Sequence, residues 1–269
     1  MVEAHYNHPS IVCWGLSNEV RGNDADLLAL APVVRALDGR RLVNAVCNKT
    51  HRLLAKSATY LLDVPTWNDY TGTWHTRDRT LLPGYLEAIG KAAPGRPLLI
   101  TEAGVCEPSF SGGDLFRVDE MVYHVREWQR HPFVIGYIYF CLNDYRTDVG
   151  EEGFGVNRIR RHGLADKRLV PKDSYGLFAS LASPVEIRTV KATDRGNRRV
   201  KVEIGVRDTI PCHAVRGYSL AYARADGTPG VVRLPDLQPG ASHALVLDDI
   251  NDEYHFEIRR PTGDVCVKY

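Results

Sequence analysis

Short apolar runs alternate with helically spaced stretches through the first two thirds of the chain. Residues 11–16, 41–47, 60–64, 97–101 and 133–142 are the apolar runs, each bounded by turn residues or a sudden charge. Runs of this kind read as strands buried on both faces, as a parallel sheet requires. Between them Leu27, Leu30, Ala31, Val34 and Leu37 recur at helical spacing, with Asn23 or Asp24 placed to cap the start. The same spacing predicts helices over 79–92 (ended by Pro94-Gly95), 114–130 and 172–181, and a short helical stretch over 51–57. Strands separated by helices make βαβ units, hence an α/β fold. After Pro184 the period becomes two. Residues 185–190, 199–206, 218–223, 230–234, 243–247, 254–258 and 265–268 alternate apolar with polar, with turn signals such as Asp226-Gly227, Pro239-Gly240 and Thr262-Gly263. That pattern predicts an all-β, immunoglobulin-like sandwich. The expected division is an α/β unit over 1–183 and a sandwich over 184–269.

A chain of 269 residues has room for two such units. Its 44% hydrophobic and 25% charged residues are ordinary, and a net charge of +1 gives no reason to expect nucleic acid or an acidic membrane as partner. No apolar run approaches the roughly 20 residues of a membrane helix. Met1 to Tyr6 has neither the basic nor the apolar part of a signal peptide, which leaves the cytoplasm as the default compartment. Cys13, Cys47, Cys106, Cys141, Cys212 and Cys266 show no CxxC pair and no zinc spacing, and read as buried free thiols. No cofactor or metal is expected.

The chemistry gathers at two strand ends. Ile11-Val12-Cys13-Trp14-Gly15-Leu16-Ser17-Asn18 stops on Glu19, and Pro97-Leu98-Leu99-Ile100-Thr101 stops on Glu102. A carboxylate where a buried strand gives out lies at the rim, and in a parallel barrel the rim carries the active site. Two rim carboxylates are the minimum equipment for hydrolysing a glycosidic bond. The stretch Asn7 to Glu19 resembles the acid/base signature of glycoside hydrolase family 2, which includes β-galactosidases, β-glucuronidases and β-mannosidases. Pro97 to Gly104 resembles its nucleophile strand, and Asn68-Asp69-Tyr70-Thr71-Gly72 the segment after its sixth barrel strand. Gly136 to Tyr145, then His162 to Asp166 with Pro171-Lys172, resemble its eighth strand and the following loop. The resemblance covers about residues 1–182. It implies the C-terminal part, about strands four to eight, of a TIM (β/α)8 barrel.

The resemblance also implies roles. Glu102 would be the nucleophile and Glu19 the acid, then the base, of a retaining mechanism that holds two carboxylates roughly 5–5.5 Å apart. Asn18 would donate to the 2-hydroxyl of the sugar, and Tyr70 would touch the nucleophile. Trp67, Trp74 and Trp14 are candidates for stacking on the sugar, although Trp14 sits within a strand and reads as core. His5 and His8 either line the site or serve structure. Asp144, Tyr145 and Arg146 lie at the mouth of strand eight. Arg158, Arg160 and Arg161 belong either to a carboxylate-binding loop or to a solvated basic one. Two departures stand out. Phe140 occupies the place where the family usually has a tryptophan. The Asn-x-Lys with which β-glucuronidases hold the sugar carboxylate is replaced by Arg160-Arg161-His162 before Gly163.

Strands one to three have no counterpart here, so the chain reads as part of a larger enzyme whose barrel closes with an upstream polypeptide or by self-association. The leading reading is a retaining exo-β-glycosidase acting on a carbohydrate of β-galactoside or β-glucuronide type. The alternatives are an endo-acting glycosidase of the same clan and an inactive carbohydrate-binding or interaction fragment.

Overall fold

The structure is a computed structural model and describes residues 1–20, 24–106, 112–147, 159–194, 196, 198–251 and 253–269. Asn23 and Arg158 lie outside the described residues. The chain divides into two compact units, Met1–Ser174 and Tyr175–Tyr269. The division falls inside the helix Asp173–Leu181, earlier than the change of sequence period after Ser183. No helix among the described residues is long and apolar enough to cross a membrane.

The first unit runs α1 (Val2–His5), β1 (Cys13–Asn18), α2 (Asp24–Leu37), β2 (Leu42–Val46), α3 (Ala58–Leu61), β3 (Thr66–Asn68), α4 (Leu82–Ala92), β4 (Leu98–Glu102), α5 (Gly113–Gln129) and β5 (Val134–Tyr137). Two-residue strands β6 (Tyr145–Arg146) and β7 (Ile159–Arg160) then pair with each other. Strands β1 and β2 form one parallel ladder, and β3, β4 and β5 form another in chain order. The ladders meet where the Asn68 N–H donates to the Cys47 carbonyl and the Thr66 hydroxyl to the Ala45 carbonyl, both at 2.9 Å. Sequential order of parallel strands is what short helical crossovers produce. Helix α2 covers β1 and β2 through Ala31, Val43, Ala45 and Leu62, which are buried against Leu16, Leu27, Leu28 and Val34.

The third strand is not where the sequence pattern places it. Tyr60, Leu62 and Val64 are buried, which explains the strand-like alternation, but Ala58–Leu61 is a helical turn. The Tyr60 hydroxyl donates to the Thr50 carbonyl, and Asp63 binds Val43 through both its backbone N–H and its carboxylate. Pro65, which has no N–H to give, ends that segment, and the ladder starts one residue later. The fifth strand is shorter than its apolar run. Past Tyr137 only isolated bonds continue, from Ile138 N–H to the Ile100 carbonyl and from Phe140 N–H to the Ala103 carbonyl, both 2.9 Å.

After helix α6 (Asp173–Leu181), the second unit runs β8 (Val185–Asp194), β9 (Arg199–Val206), β10 (Ser219–Ala223), β11 (Pro229–Arg233), β12 (Ser242–Leu247), β13 (Phe256–Arg259) and β14 (Val265–Lys268). They make two antiparallel sheets, β12-β9-β8 and β11-β10-β13-β14. The period of two buries Val200, Val202, Ile204 and Val206 of one sheet in a single core with Leu220, Phe256, Ile258 and Cys266 of the other. The six cysteines are unbridged; contrary to the reading of buried thiols, Cys212 is exposed and Cys13, Cys47 and Cys141 are only partly buried, leaving Cys106 and Cys266 in the interior. Ile258 has no exposed surface, so Ile258→Ala is expected to cost about 2–5 kcal/mol through lost transfer energy and the cavity left behind. Denaturant unfolding of parent and variant measures it.

Candidate active site

Glu19 follows the last residue of β1 and turns the chain out of the ladder at φ 53°. A non-glycine residue adopts this conformation at a cost of order 1–3 kcal/mol unless its surroundings hold it there. They do. The Glu19 N–H donates to the Val46 carbonyl at 3.0 Å, and its carboxylate accepts from Asn68 Nδ2 at 2.8 Å and Asn48 Nδ2 at 3.1 Å. Glu19 is thereby aimed across the end of β2 toward β3.

Asn68, the last residue of β3, has no exposed surface. Its Nδ2 also reaches Asn18 Oδ1 at 3.1 Å, and its Oδ1 accepts from the Thr101 hydroxyl at 2.7 Å. On the neighbouring strand Asn68 is in register with Glu102, the last residue of β4. Glu102 accepts the Tyr70 hydroxyl at 2.8 Å, and its carbonyl accepts the Asp69 N–H at 2.7 Å. Burial raises the Glu102 carboxyl above its ordinary value, and the charge of Glu19 adds to the rise. Hydrogen bonds from Tyr70, Asn68 and Asn18 act the other way. The Tyr70 hydroxyl is itself pushed far up, by burial first and then by Glu102, so it remains a donor.

The loop that carries Tyr70 is braced from behind by α5. The buried Asp69 carboxylate accepts Trp128 Nε1 at 2.9 Å and the Thr71 N–H at 3.1 Å. Each ring nitrogen of His124 lies on a carbonyl oxygen, Nδ1 on Glu120 at 2.7 Å and Nε2 on Thr71 at 2.9 Å. The Glu120 carboxylate lies 3.7 Å from His124 Nδ1. Gly72 is required twice here. It has φ 85°, and a Cβ would come within 2.5 Å of Glu120 Oε2.

The other wall of the site follows β5. Phe140 stands edge-on to His162 at 5.2 Å, and the His162 ring lies nearly parallel to Tyr145 and 6.3 Å from Trp74, which is 40% exposed. Burial, then the charges of Arg160 and Arg117, lower His162 to about 3, so the imidazole is neutral. Tyr145 acts electrostatically on Tyr70.

The structure thus brings together Asn18, Glu19, Tyr70 and Glu102 at the ends of β1, β3 and β4. Trp67 is a correction: it has no exposed surface and packs on His51 and Tyr85, so it cannot stack on a sugar. Asp144 is a second, because Lys172 Nζ at 2.8 Å and the Gly163 N–H at 2.9 Å both occupy its Oδ1, which locks the loop after β5. Arg160 reaches the Tyr145 hydroxyl at 3.3 Å, and Arg146 is exposed on β6. Trp14 donates to Asp38 and belongs to the core. His5 and His8 face each other at the opposite end of β1 from Glu19, where Arg41 holds the His8 carbonyl. Asn48, Asn68 and Thr101 were not singled out from the sequence. Asn68 lies in the Asn68-Asp69-Tyr70 stretch, and a polar residue closing a buried strand beside a catalytic candidate was the available signal.

One carboxylate held by a phenol and a second beside it held by carboxamides can divide attack and proton transfer between them. Comparison with known proteins fits this chemistry. The chain is 27% identical over 191 residues to a β-glucuronidase of Bacteroides fragilis, which covers 64% of this chain and 26% of that protein. It is 28% identical over 191 residues to a β-galactosidase of Thermoanaerobacterium thermosulfurigenes, covering 68% of this chain and 25% of that protein. The chain therefore spans about a quarter of the length of these relatives. Its fold resembles that of a β-galacturonidase of Eisenbergiella tayi bound to galacturonate, with a TM-score of 0.55 at 20% identity over 66% of this chain and 34% of that one. Residues 1–155 match the glycosyl hydrolases family 2 TIM barrel domain, and the chain belongs to that family.

Proposed function

We propose that the chain carries the catalytic carboxylates of a retaining, exo-acting β-glycosidase for terminal β-linked sugars of the galactoside or glucuronide type. The observation that carries this reading is the Tyr70 hydroxyl on Glu102 at 2.8 Å, beside a Glu19 that shares Asn68 with the same strand end. In this reading Glu102 attacks the anomeric carbon while Glu19 protonates the leaving oxygen. Glu19 then takes a proton from water, which displaces Glu102 from the glycosyl-enzyme. Tyr70 holds the attacking oxygen and stabilises its charge. Asn18 donates to the sugar's 2-hydroxyl, and Trp74 with Phe140 forms an aromatic wall for the ring. Arg146 and Arg160 supply positive charge at the mouth.

The five parallel strands correspond in this proposal to the fourth to eighth of the barrel, and the second unit to an immunoglobulin-like module. A second reading, a fragment that acts only with a complementing polypeptide, is favoured by the half-exposed Leu42 and Ile135 on the parallel strands. Among the described residues β1 and β5 each have a partner on one side only.

Turnover of a panel of nitrophenyl β-glycosides tests the proposal. Glu102→Gln is expected to abolish turnover. Glu19→Gln is expected to lose about 10²–10⁴-fold on sugars with poor leaving groups and much less on activated ones. No turnover on any sugar by the purified chain, with activity restored by an added upstream segment, would put the second reading in front. Tyr70→Phe removes a hydrogen bond that lowers the Glu102 pKa, so Glu102 protonates at higher pH. The acid limb of the pH–rate profile is accordingly expected to move to higher pH, with kcat reduced.

A further inference from the structure

Tyr70 is held by its backbone as well as by its hydroxyl. The His75 N–H donates to the Tyr70 carbonyl at 3.1 Å, and the Tyr70 N–H donates to His75 Nδ1 at 3.3 Å. The two rings stand edge-on at 5.7 Å. One histidine therefore grips both backbone polar groups of the residue whose phenol rests on Glu102. We propose that His75 is a positioning residue that, as a neutral imidazole protonated on Nε2, clamps the Tyr70 backbone and thereby fixes the phenol on Glu102. The inference rests on the glycosidase reading for its consequence, although the clamp itself is a matter of geometry.

An imidazole accepts at Nδ1 only while that nitrogen is bare. Protonation puts a second hydrogen against the Tyr70 N–H and turns an attraction into a repulsion. The surroundings favour the bare state. Burial lowers the His75 pKa below its ordinary value, Asp69 and Glu19 oppose that, and Arg52 and Lys49 reinforce it. His51, whose ring lies 6.4 Å away, is lowered to about 4 by its own burial and brings no charge at neutral pH. The clamp is therefore closed at neutral pH and opens as pH falls through the lowered His75 value, which lies below the ordinary 6.5. His124 bonds the Thr71 carbonyl and Glu120 lies against Gly72, so both are separable from the clamp by substitution at position 75.

The test is nitrogen-15 NMR of the full chain between about pH 4 and 7, beside kinetics of covalent capture. The expected result is a His75 ring protonated on Nε2 at neutral pH and a Tyr70 amide resonance that moves with the His75 titration. That movement should vanish in His75→Gln, whose side-chain carbonyl accepts without titrating. A ring protonated on Nδ1, or a Tyr70 amide indifferent to the His75 titration, overturns the proposal. In the second arm a 2-deoxy-2-fluoro β-glycoside labels Glu102 and mass spectrometry follows the rate. His75→Ala should slow labelling about tenfold, while His75→Gln stays within about twofold of the parent at neutral pH. Equal slowing in both variants also overturns it. A parent chain that no such glycoside labels refutes the glycosidase reading instead, and the NMR arm still decides the clamp.

Discussion

A carboxamide with no exposed surface must satisfy two N–H groups and a carbonyl inside the protein. Asn68 does so with Asn18, Glu19 and Thr101, each on the end of a different element from its own. This set of bonds ties the rim of β1 to the rims of β3 and β4. Removing the amide would leave two acceptor oxygens without that donor and would leave the Glu19 carboxylate held by Asn48. One side chain with no exposed surface thereby links the strand ends that carry the two carboxylates.

Around that centre the fold works by bracing. The loop after β3 has little hydrophobic surface of its own to hold it, yet it carries the phenol that rests on Glu102. Its support is polar and comes from helix α5, through Trp128 on Asp69 and His124 on Thr71, with Glu120 filling the space that Gly72 leaves. Buried polar contacts of this kind are directional where apolar packing is not, which suits a loop whose task is to hold one hydroxyl within a few tenths of an ångström. A helix whose first duty is to cover a sheet thereby also sets the geometry at the sheet's rim.

How much of this was legible beforehand depended on whether the information was local. β1, β2 and β4 could be placed because their apolar runs end in a charge or a turn, and Glu19 and Glu102 announced themselves as carboxylates closing such runs. The third strand could not be placed. Tyr60, Leu62 and Val64 alternate as a strand does because they are buried on one side of a helical turn and the segment after it, and only Pro65 hinted at the shift. Trp67 was misread for a related reason. An aromatic beside a catalytic motif looks like a sugar platform, but residues in a strand alternate faces, and this one points toward His51 and Tyr85. The partners of Asp144 at the mouth of the eighth strand, Lys172 and Gly163, could not be read beforehand because they lie far along the chain. Asn48 was silent, since a carboxamide carries meaning only through what it faces.

The left-handed backbone at Glu19 has a consequence for descent. Glycine and asparagine relax such a conformation, and neither can transfer a proton. Under the proposed role for Glu19, stability and proton transfer therefore pull position 19 in opposite directions. In a lineage released from that role, the dihedral at this position favours replacement by glycine or asparagine. The backbone angle thus makes position 19 a record of whether the chemistry is still in use.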